Sequence, residues 1–299
     1  MLFVFSLNCI GNAVSFTSIA GIADIACVYY NVEAHVLNWI PNSFLLIYVF
    51  ISLPSAYIIS SLGLRRSLII GSSLNAITCS LHFAGSHREG FPFVMVGQLF
   101  AAVGVGAVLQ IPGKLATVWF GFNEHATATS IGYLVNILGM AVGYLQSSQM
   151  VPNTPHDLVA VGKGILYMNI IQLVFVLVTL VLTYAAFRSR PPMAPSNLLT
   201  SVNEGDKVPS FITCLRILVE DRDFNLYAQC FGLIFGIFCY CSIVLNEMLS
   251  FKMLESEIGW MGFTCNMFGI VGMLVSEERF FSGPKTNTNM YYCNTTWNE

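Results

Sequence analysis

The 299-residue chain is 55% hydrophobic but only 10% charged, its net charge is −3, and its mean hydropathy is +0.69. A soluble domain carries about 25% charged residues, so this chain has too little charge to solvate a globular surface. It is expected to be an all-α integral membrane protein, and it lacks the basic patch that a nucleic-acid partner requires.

The first span is expected over residues 1–26. It has no basic n-region, so it does not resemble a cleavable signal peptide, and no hydrophilic leader precedes it; either the leader is absent or the sequence starts late. Asn8, Asn12 and Phe16 recur at i, i+4 and i+8 with Ser15 beside them, which stacks them on one side of a helix. Amides at membrane depth are tolerated against protein or a wet cavity. The spacing fits helix–helix bonding and cavity lining alike.

A loop at 27–41, free of Lys and Arg, leads to a second span over 40–62. The tight turn Gly63-Leu64-Arg65-Arg66 opens a third span over 67–83, and a short loop with His87, Arg88 and Glu89 follows. The fourth span, 93–111, is uncharged and long enough to cross roughly 30 Å of hydrocarbon. Gly97, Ala101, Ala102, Gly104 and Gly106 would weaken a soluble helix, whereas in a membrane they let neighbours approach closely. Trp119 and Phe120 suit the headgroup level, and Lys114, just inside them, is expected to reach the interface on its long stem.

The fifth span, 126–146, offers Gly139-x-x-x-Gly143 as a close-packing face and Thr129, Tyr133 and Asn136 as a polar one. An outer loop starting at Val151-Pro152-Asn153 leads to a sixth span over 164–187. The long hydrophilic stretch 188–222 reads as a linker ending in an interfacial helix at 211–219. A seventh span over 224–249 carries Gly232-x-x-x-Gly236, and an eighth covers 258–275. There Val275-Ser276-Glu277-Glu278-Arg279 is expected to break the helix and leave a polar tail. Asn294-Thr295-Thr296 in that tail fits the glycosylation pattern, on the side expected to be cytosolic.

Lys and Arg set the orientation. Eight of them (Arg65, Arg66, Lys114, Arg188, Arg190, Lys207, Arg216, Arg222) fall on one side, and three (Arg88, Lys163, Lys252) on the other. The Arg65-Arg66 turn, the linker and the N-terminus are therefore expected in the cytosol. Of nine cysteines, six (Cys9, Cys79, Cys230, Cys239, Cys241, Cys265) sit in apolar runs without a C-x-x-C spacing and read as small fillers. No metal site is expected. Without a phosphate-binding loop, an H-E-x-x-H or a G-x-S-x-G, neither an enzyme nor a cofactor is expected.

Six spans, a long cytosolic linker and further spans form the layout of the major facilitator superfamily, whose substrate sites lie between two six-helix halves. More specifically, Phe5-Ser6-Leu7 with Asn12-Ala13, Asn38-Trp39, Gly63-Leu64-Arg65, Gly97-Gln98, Val118-Trp119-Phe120-Gly121 with Glu124, Leu138-Gly139 with Ala141-Val142-Gly143, Val151-Pro152-Asn153, and Leu245-Asn246 with Met248 carry a resemblance. They resemble the feline leukaemia virus subgroup C receptor-related transporters, including the major facilitator superfamily domain-containing protein 7 branch.

The resemblance implies a twelve-helix carrier of choline, ethanolamine or haem working by alternating access. Residues 1–187 would be a complete first half, 188–222 the linker and 223–275 the first two helices of the second half. Residues 276–299 would be foreign to the fold, as from an alternative transcript or an incomplete gene model. Gly63, Arg65 and Arg66 fall at the family's gating turn.

The cage that holds choline in such carriers uses Trp and Tyr rings. Its first-span Trp falls here on Phe16, its seventh-span Tyr on Cys239 with Tyr240 one residue over, and its fifth-span Gln on Ile137 beside Asn136. Ser60 replaces the acidic residue before the turn, and Glu247 replaces a Gln; Glu247 would either neutralise a cation or be solvated at the outer interface. The cavity candidates are thus Asn8, Asn12, Phe16, Gln98, Tyr133, Asn136, Tyr240, Asn246 and Glu247. The implied partners are a small-molecule substrate and the bilayer, by family default at the plasma membrane. An alternative is a transport-dead membrane protein that binds or regulates full-length relatives as a homo- or hetero-oligomer.

Overall fold

The computed structural model describes residues 1–121, 124–154, 157–189, 191, 211–249 and 255–282. Seven stretches among them are long and apolar enough to cross a membrane. The first expected span divides in two. Helix α1 (Leu2–Ala20) stops at Gly21, and α2 (Ala23–Tyr30) continues to Asn31, whose left-handed backbone (φ 53°) ends it. The break follows from a close approach: a Cβ on Gly21 would stand 3.3 Å from the Tyr144 ring. After a single turn, α3 (Ala34–Leu37), the second span forms α4 (Trp39–Leu62), and the third forms α5 (Leu64–Ala84).

The fourth span is also divided, into α6 (Phe91–Leu109) and α7 (Ile111–Trp119), with Gln110 between them. Pro112 lacks the N–H that would bond to the preceding turn, so a continuous helix cannot pass it without a break or kink. The fifth and sixth spans are α8 (His125–Met150) and α9 (Leu158–Ala186). An interfacial helix, α10 (Phe211–Glu220), precedes α11 (Arg222–Leu249) and α12 (Glu255–Ser282). The helix break expected at 275–279 does not occur, because Glu277, Glu278 and Arg279 are good helix formers. They end the apolar stretch without ending the helix. Most of the linker and the 283–299 tail, with Asn294, lie outside the described residues.

Helix α1 is the axis of the bundle and packs on α5, α6, α8 and α9, while α4 lies on α6 and α12 lies along α8. Glycines set the tightest seam. A Cβ on Gly139 would stand 2.9 Å from the Ile10 Cα, and one on Gly143 would stand 3.1 Å from the Val14 Cα. In hydrocarbon, where lipid is as apolar as the helices, such backbone contact is what holds a pair together. A Cβ on Gly232 or Gly236 of α11, which have the same spacing, would meet no other helix within 4 Å among the described residues.

The basic residues converge at one end. Arg65 donates to the Tyr184 carbonyl across 3.1 Å. Lys114, expected to snorkel outward, instead donates to the carbonyls of Ile59 (2.8 Å) and Ser60 (3.4 Å). The Ile59 carbonyl also accepts the Gly63 N–H at 3.1 Å, so Lys114 adds a charge-assisted bond at the negative end of α4. Gly63 joins α4 to α5 at φ 81°, which a side chain rarely tolerates.

Candidate substrate site

The polar face of α1 does not act as one unit. At about 100° per residue, Ser15 falls within about 20° of Asn8, whereas Phe16 falls about 80° away, with Asn12 between. Asn8, a cavity candidate for which helix–helix bonding was the other reading, takes the bonding role and is closed between α1, α5 and α9. Its amide donates to the Val4 carbonyl (2.8 Å) and Thr183 Oγ1 (2.9 Å), and its Oδ1 accepts from Ser72 Oγ. Ser15 bonds to Cys79 on the same side at 3.2 Å. Those groups bond helix to helix and have nothing left for a ligand.

Phe16 turns the other way. Its ring lies 4.3 Å from that of Phe44 on α4 with a 31° tilt, and both pack on Ala101, Ala102 and Val105 of α6. The alanines are required here, since larger side chains would fill the space the rings occupy. One helical turn from Phe44, Tyr48 extends this wall. Tyr133 is 41% exposed, and Asn136, three residues on, is half-buried. Tyr48 lies near the middle of the 24-residue α4, so this aromatic wall reaches mid-membrane depth.

Two amides accompany the wall and lack partners. Gln98 is 0% exposed, one turn from Ala101 and Ala102, and neither its Oε1 nor its Nε2 has a hydrogen-bond partner. Asn12, one turn from Phe16 and 1% exposed, has an unpaired Nδ2. An unsatisfied buried amide costs about 1–3 kcal/mol. Such groups at aromatic rings mark a place where polar ligand atoms would be welcome. Asn266 of α12 is a third, with an unpaired Oδ1 while its Nδ2 bonds to the Gly262 carbonyl at 2.8 Å.

The structure thus brings Phe16, Asn12 and Gln98 to the helices around the wall, separates Asn8 from it, and leaves Tyr133 and Asn136 on α8 without a contact to it. Tyr240 on α11 is 67% exposed, and the side chains of Asn246 and Glu247 lie outside the described residues. Sequence reasoning missed Phe44, Tyr48 and Asn266. The i, i+4 rule that singled out α1 would have found the 44/48 pair, and an amide in an apolar run would have flagged Asn266. His82, two residues from the end of α5, is wholly buried between α5 and α6. The missing side chain of Gly97 makes room for its ring. His87 is exposed and contacts the Ala84 carbonyl at 2.7 Å.

Seven apolar stretches long enough to cross a membrane, packed around α1, make this a multi-pass membrane protein. The chain belongs to the Major Facilitator Superfamily, whose family model it matches over residues 1–288. It is similar to the choline/ethanolamine transporter FLVCR2 of Rattus norvegicus, with 30% identity over 283 residues, covering 92% of this chain and 51% of that protein. The choline/ethanolamine transporter FLVCR1 of Felis catus is 29% identical over 280 residues, 92% of this chain and 50% of that protein. The chain therefore spans about half the length of the curated relatives it matches. Among solved structures, the D-xylose-proton symporter shares the fold, with a TM-score of 0.61 at 13% identity, covering 94% of this chain and 68% of that one.

Proposed function

We propose that this chain carries the first-half substrate site of a transporter for a small organic cation of the choline and ethanolamine class. The observation behind this reading is the wall formed by Phe16, Phe44 and Tyr48. Aromatic faces attract a desolvated ammonium by about 2 kcal/mol or more. A site that must release its cargo on the far side gains from such attraction without a fixed countercharge. Asn12 and Gln98 are placed to take up the cargo's hydroxyl. The names of the relatives support the same class, and a small ammonium suits facing rings better than a haem macrocycle.

In the superfamily plan, the second helical half closes over this wall and rocks against the first. Helix α12 begins that contact through Gly259 and Gly262, which meet Ser148 and Tyr144 of α8. The clustering of Arg65, Lys114 and Arg188 at one end supports a cytosolic placement of that end and of the N-terminus, with the plasma membrane as the site of action. Gly63, Arg65 and Arg66 form the gating turn. Ser60 stands where the family has an acid, and here its carbonyl receives Lys114 instead.

The test is uptake of radiolabelled choline into proteoliposomes holding the chain, with unlabelled ethanolamine as competitor. Competed uptake that Gln98→Leu lowers supports the reading. Uptake unaffected by ethanolamine and by Gln98→Leu overturns it.

A further inference from the structure

A groove of about 410 Å3 runs between the last turn of α5 and the first turns of α9, with Tyr29 of α2 at its back. It lies at the end of the bundle opposite Arg65 and Lys114. Gly162 has no side chain there because the Tyr29 ring lies against it, and a Cβ would stand 3.0 Å from that ring. The Tyr29 hydroxyl donates to the Ser86 carbonyl at 2.9 Å, which fixes the back of the groove.

Two independent counts give its depth. Arg65 donates to the Tyr184 carbonyl at the far end, so α5 and α9 share a level there. A helix needs about 20 residues to cross the hydrocarbon. Counted forward from Arg65, that length reaches Gly85; counted back from Tyr184, it reaches Gly164. Phe83 and Leu166 line the groove just inside this boundary, and His87, Leu158 and Lys163 line it just outside. The groove therefore stands at the level of the lipid headgroups, with Phe83, 41% exposed, at the edge of the hydrocarbon.

The charge of the lining has one sign. Lys163 and, when protonated, His87 supply positive charge, and no Asp or Glu lines the groove among the described residues. Lys163 is exposed and has no hydrogen bond or ion pair among those residues. The acid nearest to it along α9, Asp157, caps the helix by accepting the Ala160 N–H at 3.1 Å. His87 Nδ1 donates to the Ala84 carbonyl at 2.7 Å, which holds the ring at the rim. Arg88 and Glu89, next in the loop, carry opposite charges. An occupant thus needs a negative group for Lys163 and an apolar part for Phe83 and Leu166. A phospholipid meets both needs at this depth, its phosphate among the headgroups and its chains descending past those two side chains. A choline or ethanolamine headgroup would bring a further cation beside Lys163, so the charge favours a lipid of net negative charge.

We infer that the groove between α5 and α9 binds a net-anionic phospholipid, whose phosphate pairs with Lys163. This inference does not depend on the cargo assigned to the aromatic wall, and its test reads lipid binding alone. The chain would be placed in phosphatidylcholine nanodiscs doped with phosphatidylglycerol that carries a photoreactive headgroup, and the labelled peptides mapped. A phosphatidylcholine with the same photoreactive group serves as the second arm, and free glycerol phosphate as a soluble competitor.

Labelling should fall on residues 83–89 and 158–166 and be displaced by unlabelled phosphatidylglycerol. Lys163→Gln should lower it about fivefold, the share of one basic residue at a membrane surface, whereas Lys163→Arg should keep it. Val159→Glu puts an acid on the lining at a position 69% exposed. It should lower labelling independently and leave the size-exclusion profile unchanged. Labelling that Lys163→Gln does not reduce would overturn the inference, as would labels confined to the Arg65–Lys114 end. Equal labelling by the phosphatidylcholine analogue would make the groove ordinary lipid-facing surface, and displacement by glycerol phosphate would make it a site for soluble phosphate; either result overturns the inference.

Discussion

Asn8 and Asn12 are one turn apart on the same helix, and both are buried amides, yet the structure treats them oppositely. Asn8 closes a seam: every amide hydrogen is used, and α5 and α9 supply the partners. Asn12 is left with an unpaired donor beside Phe16. The difference teaches that a polar stripe in a membrane helix can have two functions separated by only about 40° of rotation. One edge of the stripe holds the bundle together, and the other carries an uncommitted amide donor, which the proposed function assigns to the cargo.

That comparison can be broken in several ways. The largest effect belongs to the closed side. Gly139→Leu would drive a side chain into the Ile10 backbone, where no neighbour can give way, and should prevent a monodisperse protein from being recovered on size exclusion. Gly232→Leu, with open space around it, should leave the elution profile unchanged. Next, Phe16→Ala should weaken choline binding about ten- to thirtyfold, the equivalent of a desolvated cation–π contact, in a filter-binding assay.

Third, Asn8→Leu should destabilise the protein by about 1–2 kcal/mol, seen as a lower thermal midpoint, because Ser72 and Thr183 lose their bond to α1 and keep only the Leu68 and Thr179 carbonyls of their own helices. Asn12→Leu should leave that midpoint unchanged or raise it. The smallest effect is expected for Lys114→Met, which removes a charge from the α4 C-terminus and should cost about 0.3–1 kcal/mol in the same thermal assay.

Much of this was legible in the sequence. Uninterrupted apolar length located the spans, and small residues at i, i+4 located the α1–α8 seam at Gly139 and Gly143. Pattern reading stopped short where the structure depends on a partner helix. Gly232 and Gly236 carry the same spacing as the seam glycines, but spacing cannot say whether a neighbour is present. The break at Gly21 depends on Tyr144, more than a hundred residues away. Asn8 looked like a cavity residue because its partners, Ser72 and Thr183, lie on helices whose rotation the sequence does not specify. Tyr48 was overlooked although its i, i+4 spacing from Phe44 was readable, because only the packing on α6 shows that the pair meets Phe16.

The most direct test of the account is equilibrium binding of radiolabelled choline to the purified chain, compared between wild type, Phe16→Ala and Asn8→Ala. The account predicts saturable binding that Phe16→Ala weakens at least tenfold, with Asn8→Ala keeping wild-type affinity despite a lower melting temperature. Binding that is lost in Asn8→Ala and kept in Phe16→Ala would contradict it, placing the cargo in the seam rather than at the aromatic wall.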